Sequence, residues 1–177
     1  MVKNNQWLGS YYKVRMFHKD ALCERTKQSL CNAWNDLTKH EMRLVLRHEA
    51  IAKVFAQHVG EHTSFGRDSE KFHAYLADVE WVYIIERIGV PGVGAFMAVT
   101  KDQQILSLFV APPYRGKKLG TYLINNHLEI FGKPVSLQCF KFNELALKFY
   151  SFIGFKASYV ASRENNGDLY DTLVRTV

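Results

Sequence analysis

The chain has 177 residues, 47% hydrophobic and 23% charged, with a formal net charge of +6 and a pI near 9.2. That is an ordinary globular composition, and the length suits one domain, 1–177, with a sizeable core. No run of about 18 apolar residues exists, so no membrane span is expected.

The polar stretch Met1-Val2-Lys3-Asn4-Asn5-Gln6 is not followed by an apolar signal core, and cytoplasmic localisation is expected. Cys23, Cys31 and Cys139 are scattered, which suits reduced thiols, and each is expected to be buried. A positive excess of this size implies an anionic partner. From Lys101 to Lys156 eight bases stand against three acids, so nearly the whole excess sits in one window.

Tyr11 to Phe17 reads as a strand, with β-formers in partial alternation. Asp20 is placed to cap a helix over Ala21 to Trp34. Thr38 and Glu41 have capping-box spacing for a second helix reaching about His58. Gly60 to Ser69 reads as a loop and Glu70 to Ala77 as a short helix. Trp81–Arg87, Gly94–Thr100 and Gln104–Val110 read as three strands, the first two joined by a turn with three glycines and Pro91.

A helix is expected from Gly116 to about Phe131, with Leu119, Tyr122, Leu123 and Ile130 on one side. Val135–Phe140 follows as a strand. Asn143 can cap a helix through Ile153 whose inward residues are Leu145, Ala146, Phe149, Phe152 and Ile153. Phe155–Val160 and Leu169–Val174 read as two last strands around the turn Glu164–Asp168, where Asn-Gly tolerates positive φ. Hairpins followed by a crossover predict a mixed α/β (α+β) fold, a sheet with helices on both faces.

The organising stretch is Ile105 to Gly120, an apolar strand that crosses Pro112 and Pro113 into the basic turn Arg115-Gly116-Lys117-Lys118-Leu119-Gly120. A turn of this kind at a helix N-terminus builds an anion site from unpaired amides and the helix dipole. The sequence Val110-Ala111-Pro112-Pro113-Tyr114-Arg115-Gly116-Lys117-Lys118-Leu119-Gly120 resembles the strand-turn-helix signature of the GNAT superfamily of acetyl-CoA-dependent N-acetyltransferases. Asn143-Glu144-Leu145-Ala146-Leu147-Lys148-Phe149-Tyr150-Ser151-Phe152-Ile153-Gly154-Phe155 resembles its second motif. The resemblance spans roughly Trp81 to Val174. One position departs: Lys118 stands where the family usually has glycine, and a lysine in helical conformation there still offers its N–H.

The resemblance implies a mostly antiparallel sheet with one splayed parallel pair, Gln104–Val110 and Val135–Phe140, holding acetyl-CoA as co-substrate. Its pantetheine arm would pair with Leu108, Phe109 and Val110. Its diphosphate would rest on Arg115, Gly116, Lys117, Lys118, Leu119, Gly120 and Thr121. Asn143 would touch the arm or simply cap its helix. Tyr150 would protonate the departing thiolate as the catalytic residue, or else be a core aromatic. The oxyanion would take an N–H near Phe109 or Val110. The central strand offers only Ser107 where the family often has a glutamate, which leaves Glu80, Glu86 and His73 as candidate bases.

The implied activity is direct acetyl transfer to an amine-bearing acceptor: a small molecule, a protein, or an aminoacyl-tRNA. The acceptor would lie over the N-terminal helices, 20–77, where Arg43, Arg47, His48 and Lys53 would suit RNA if they formed one patch. A homodimer is allowed. The alternative on the same fold is an inactive binding module, supported by Lys118 and the missing glutamate. A cofactor-free nucleic-acid-binding domain is a third reading, with no recognised motif behind it. His58 and His62 have i, i+4 spacing but Gly60 lies between them, and no metal is expected.

Overall fold

A computed structural model describes residues 3–8, 11–46, 69–158 and 170–176. In chain order its elements are β1 (Lys3–Leu8), β2 (Tyr12–His18), α1 (Glu24–Leu46), α2 (Ser69–Asp78), β3 (Trp81–Arg87), β4 (Ala95–Val99) and β5 (Gln104–Val110). There follow α3 (Leu119–Phe131), β6 (Val135–Phe140), α4 (Glu144–Phe152), β7 (Lys156–Ala157) and β8 (Tyr170–Arg175). Two compact units form, Leu22–Ala77 and the remainder, Met1–Ala21 with Asp78–Val177.

The larger unit holds an eight-stranded sheet in the order β1-β2-β3-β4-β5-β6-β8-β7. Every neighbouring pair is antiparallel except β5 and β6. This is the mixed, mostly antiparallel sheet that the sequence predicts. β4 lies between β3 and β5 and carries no polar residue (Ala-Phe-Met-Ala-Val), as a fully covered central strand requires. On one face Val14, Met16, Tyr83, Ile85, Ala95 and Met97 meet Leu119, Leu123, Ile124 and Leu128 of α3. Each fully buried leucine or isoleucine of that helix stabilises the fold by about 1.5–3 kcal/mol.

In the smaller unit the Trp34 ring of α1 lies 5.9 Å from Phe72 and 5.5 Å from Tyr75 of α2. α1 is continuous from Glu24 to Leu46, so the interruption expected between Trp34 and Thr38 does not occur. No glycine or proline lies in that span, and Asn35 and Asp36 disfavour a helix only weakly. Asp20 belongs to a separate 3-10 turn, Lys19–Ala21. The carbonyl that opens α1 is that of Cys23, accepting from the Thr26 and Lys27 amides.

Cys23 is exposed, against expectation, whereas Cys31 and Cys139 are buried. Its sulfur lies 3.2 Å from Thr26 Oγ1, and that hydrogen bond holds the thiol below its ordinary pKa. β1 is a strand that its polar sequence did not announce, since pairing with β2 decides it. α3 begins at Leu119 rather than Gly116. Ile130 is exposed, and Ile124, His127 and Leu128 take the inner positions. The expected helix beyond Leu46, the loop to Ser69 and the Glu164–Asp168 turn lie outside the described residues.

Candidate active site

β5 and β6 pair only at Gln104↔Ser136 and Ile105↔Leu137, although each strand continues beyond that point. A parallel pair that opens after two residues leaves a cleft along the rest of β5. The Ala111 N–H donates to the Gly94 carbonyl at 2.9 Å, across β4. Because backbone groups alternate sides along a strand, the amides of Phe109 and Ser107 also turn toward β4. Those of Leu108 and Val110 therefore turn toward the cleft. Phe109 is set apart from its two neighbours: its ring lies against Phe96, 5.8 Å between centroids, on the opposite face of the sheet.

Beyond Val110 the chain makes a 3-10 turn, Pro112–Tyr114. The Tyr114 N–H donates to Ala111 O at 2.8 Å and the Arg115 N–H to Pro112 O at 3.2 Å. Arg115's amide is thus spent on the turn and is not free for a ligand, contrary to the expectation. Its side chain does other work: Nε donates to the Val110 carbonyl at 3.1 Å, tying the turn to the end of the cleft strand.

Two left-handed residues, Gly116 at φ +73° and Lys118 at φ +59°, ψ +16°, then swing the chain into α3. Lys118 is therefore not helical, as its N–H geometry was expected to be. It is the residue just before the helix, in a conformation that suits glycine and costs a lysine about 1 kcal/mol. The first bond of α3 runs from Tyr122 N–H to Lys118 O at 2.9 Å. The amides of Leu119, Gly120 and Thr121 have no acceptor within the helix and carry the positive end of its dipole.

Gly120 is the close-approach point of the site. A Cβ there would lie 3.3 Å from Phe149 Cζ and 3.7 Å from both Leu108 and Val110 side chains. β5, the first turn of α3 and α4 therefore meet at one residue that tolerates no larger side chain without movement. Lys117 is held differently, its ammonium 5.7 Å from the Tyr114 ring and 6.0 Å from that of Tyr12. Tyr114 in turn rests on Gly94, where an added Cβ would approach its ring to 3.3 Å. Tyr12 and Gly94 were read in the sequence only as strand and turn residues. The signal was the tyrosine of Pro-Pro-Tyr-Arg, which needs a small residue beneath it.

Asn143 caps α4: its side-chain oxygen accepts from the Ala146 N–H at 3.3 Å, leaving its NH2 group to donate elsewhere. Tyr150 is half-buried, its ring 5.2 Å from Phe149 and 5.4 Å from Phe155. Of the candidate bases, Glu86 is in an ion pair with Arg15. Glu80 lies 3.3 Å from His18 Nε2, at the end of the sheet away from the signature turn. His73 belongs to α2, beside Phe72. Ser107 is buried on the face away from α3.

A buried polar chain escaped the sequence reading altogether. His127 of α3 has no exposed surface. Its Nδ1 lies 2.7 Å from Tyr83 Oη and its Nε2 2.8 Å from Gln103 Oε1. Gln103 Nε2 donates to Lys101 O, which turns Oε1 toward the ring, so Nε2 carries the proton and Nδ1 accepts from the phenol. Burial lowers the histidine pKa to about 4 and raises that of Tyr83. Among the described residues no group of three His, Cys, Asp or Glu could hold a metal ion, and no helix is long and apolar enough to cross a membrane.

The profile of the acetyltransferase (GNAT) family matches residues 57–155, more than half of the chain. The PaiA N-acetyltransferase of Thermoplasma acidophilum, solved in complex with coenzyme A, is similar in structure. It superposes with a TM-score of 0.62 at 15% identity, over 93% of this chain and 99% of that one. A GCN5-related N-acetyltransferase from Rhodopseudomonas palustris gives a TM-score of 0.60 at 17% identity, over 97% and 99%. PH1933 of Pyrococcus horikoshii gives 0.55 at 13%, over 93% and 98%. No curated protein matches by sequence.

Proposed function

Because the chain belongs to the acetyltransferase (GNAT) family, we propose that it carries an acetyl group from acetyl-CoA to a primary amine by direct attack in a ternary complex. The observation that carries this reading is the opening of β5 from β6 after Ile105, with unpaired α3 amides at its far end. The residues fit the co-substrate. A pantetheine amide finds the cleft-facing backbone of Leu108 and Val110. A diphosphate finds the amides of Gly116 to Thr121, with Lys117 and Lys118 beside them. Gly120 lets the first turn of α3 pack closely on Phe149, Leu108 and Val110.

Acetyl-CoA, when bound, supplies the activated acyl carbonyl and a thiolate leaving group. The Val110 N–H faces the cleft and serves to stabilise negative charge on the acyl oxygen. Tyr150 donates its phenolic proton to the departing sulfur, an ordinary phenol being acidic enough toward a thiolate in a water-poor cleft. A water chain takes the proton, or the amine arrives already deprotonated, since Glu86 is in an ion pair with Arg15 and Glu80 lies against His18 at the far end of the sheet. The acceptor side is assigned to residues 20–77. An aminoacyl-tRNA, a protein amine and a small amine all remain within this reading.

Thermal unfolding with and without acetyl-CoA tests it. Ligand at about a hundred times its dissociation constant adds about 2.7 kcal/mol, a shift of several degrees. A shift followed by acetylation of an amine panel is the expected result. A folded protein with no shift would refute the acetyl-CoA site.

A further inference from the structure

The hairpin that joins β3 to β4 ends in a turn with no polar side chain. From Ile88 to Val93 it reads Ile-Gly-Val-Pro-Gly-Val, and its first five residues are all exposed. A surface turn ordinarily carries polar side chains, and an exposed apolar run of this length calls for a function. Ile88 and Val90 keep 50% and 40% of their surface in solvent. Gly89 and Gly92, at φ +75° and +103°, make the bends, and a Cβ added to either would meet nothing within 4 Å. The turn therefore stands clear of the sheet it closes.

Tyr11 extends this tip. The Ile88 N–H donates to the Tyr11 carbonyl at 3.0 Å, one step beyond the Tyr12↔Arg87 pair of β2 and β3. Opposed residues of antiparallel strands share a face, so the Tyr11 and Ile88 side chains lie side by side. Tyr11 is 68% exposed. Bases flank the tip on both faces of the sheet. Alternation along β2 puts half-buried Lys13 on the Tyr11 face. Exposed Arg87 stands opposite Tyr12 on the other face, the one that α3 covers. Among the described residues neither base is in an ion pair. β2 and β3 contain a single acid, Glu86, which is paired with Arg15. From Arg87 to Lys118 the one acid is Asp102, in the turn at the opposite end of the sheet.

We propose that this hairpin tip docks the protein on an anionic lipid surface, with Ile88 and Val90 entering the acyl boundary, Tyr11 at headgroup level, and Lys13 and Arg87 paired with lipid phosphates. The chemistry selects this occupant. An aliphatic tip beside a tyrosine and bordered by bases is the composition that binds at a membrane interface. Isoleucine, valine and proline side chains offer no hydrogen-bonding group to read a peptide or a nucleic acid, and Tyr11 alone can stack on a base. A second copy fits poorly, because two tips brought together would oppose like charges. A five-residue turn is also small beside the roughly 800 Å² per partner of a stable interface. The inference is independent of the acyl-CoA reading, since none of these residues is placed in the cleft.

Co-sedimentation at low salt with vesicles of phosphatidylcholine and about 30% phosphatidylserine, against pure phosphatidylcholine, tests it. The full chain is expected to bind the anionic vesicles and to leave them as salt rises. The double variant Ile88→Ser/Val90→Ser should bind about tenfold more weakly, from the lost apolar insertion. Lys13→Gln and Arg87→Gln should each lose about fivefold on the anionic vesicles. Thermal unfolding of each variant should match wild type, since none of these side chains is buried. Absence of binding by wild type overturns the proposal. Equal binding by the folded double variant also overturns it, and places the attraction in other bases of the chain. Equal binding of wild type to both kinds of vesicle overturns it as well, because charge then plays no part. If the double variant keeps its vesicle binding but turns a dimer into a monomer in sedimentation, the tip is an interface between copies and the proposal fails.

Discussion

Acidification should destabilise this protein through His127. The neutral ring satisfies both of its neighbours, accepting from Tyr83 and donating to Gln103. A second proton on Nδ1 would face the phenolic hydrogen, beside the Phe131 ring at 4.6 Å, with no solvent contact. The folded pKa of about 4 lies below the ordinary value of 6.5. The unfolded chain therefore takes up a proton that the folded chain refuses. The stabilisation is fully present above pH 6.5, is lost as pH falls toward 4, and changes no further below that. The whole window corresponds to about 3 kcal/mol, and the step from pH 7.5 to 5.5 to about 1 kcal/mol. For a chain of this size that step lowers Tm by about 2–4 °C. The assay is thermal unfolding across that pH range for wild type and His127→Gln. Carboxylates common to both cancel in the difference, so the wild-type curve should be steeper by the stated amount. Parallel curves, or a His127 resonance titrating near pH 6.5 in the native protein, would refute the buried neutral imidazole.

Three further outcomes bear on the site. Tyr150→Phe should bind acetyl-CoA like wild type by calorimetry and lose about a hundredfold in kcat, the low end of general-acid contributions; unchanged turnover would leave Tyr150 as packing between Phe149 and Phe155. Gly120→Val puts a branched side chain where a single Cβ already reaches 3.3 Å from Phe149. It should fold by circular dichroism yet lose coenzyme A affinity, and retained affinity would mean the cradle lies elsewhere. Lys118→Gly relieves a left-handed lysine at the cost of a more flexible unfolded chain, so urea unfolding should show a change between zero and about 1 kcal/mol in favour of the variant; a clear loss would contradict the left-handed geometry.

The strands and the two motif helices were legible because their patterns are local. β4 is wholly apolar, and the step from Val110 through Gly120 carries its own turn chemistry. What escaped was set by partners distant in sequence. Lys3–Leu8 has no strand pattern and becomes a strand by pairing with β2. Gly94 looked like one more turn glycine until Tyr114 was found resting on it. His127 sits four residues after Leu123 on the buried stripe of α3, so a polar residue on an apolar face was visible. Its partners, Tyr83 and Gln103, were not, being 44 and 24 residues away. Leu145 and Phe152 mark the opposite failure: expected inward, they are exposed. Helical periodicity assigns apolar residues to the core, and it cannot tell a covered face from an open one.

Lys118 bears on the choice between an enzyme and an inactive module. Taken alone, a lysine replacing glycine lends support to the inactive module, although it still offers its N–H. In the left-handed conformation it adopts, Lys118 does the conformational work of the glycine at a cost of about 1 kcal/mol. The amides that follow it are presented all the same, because the first helical bond still begins at Lys118 O. The close approach, where an added Cβ would press on Phe149, is two residues later, and there glycine is kept. Strain held just before the open first turn of α3, with a half-buried tyrosine on the helix packed against that turn, favours the proposed acyltransferase over a module that has lost its site.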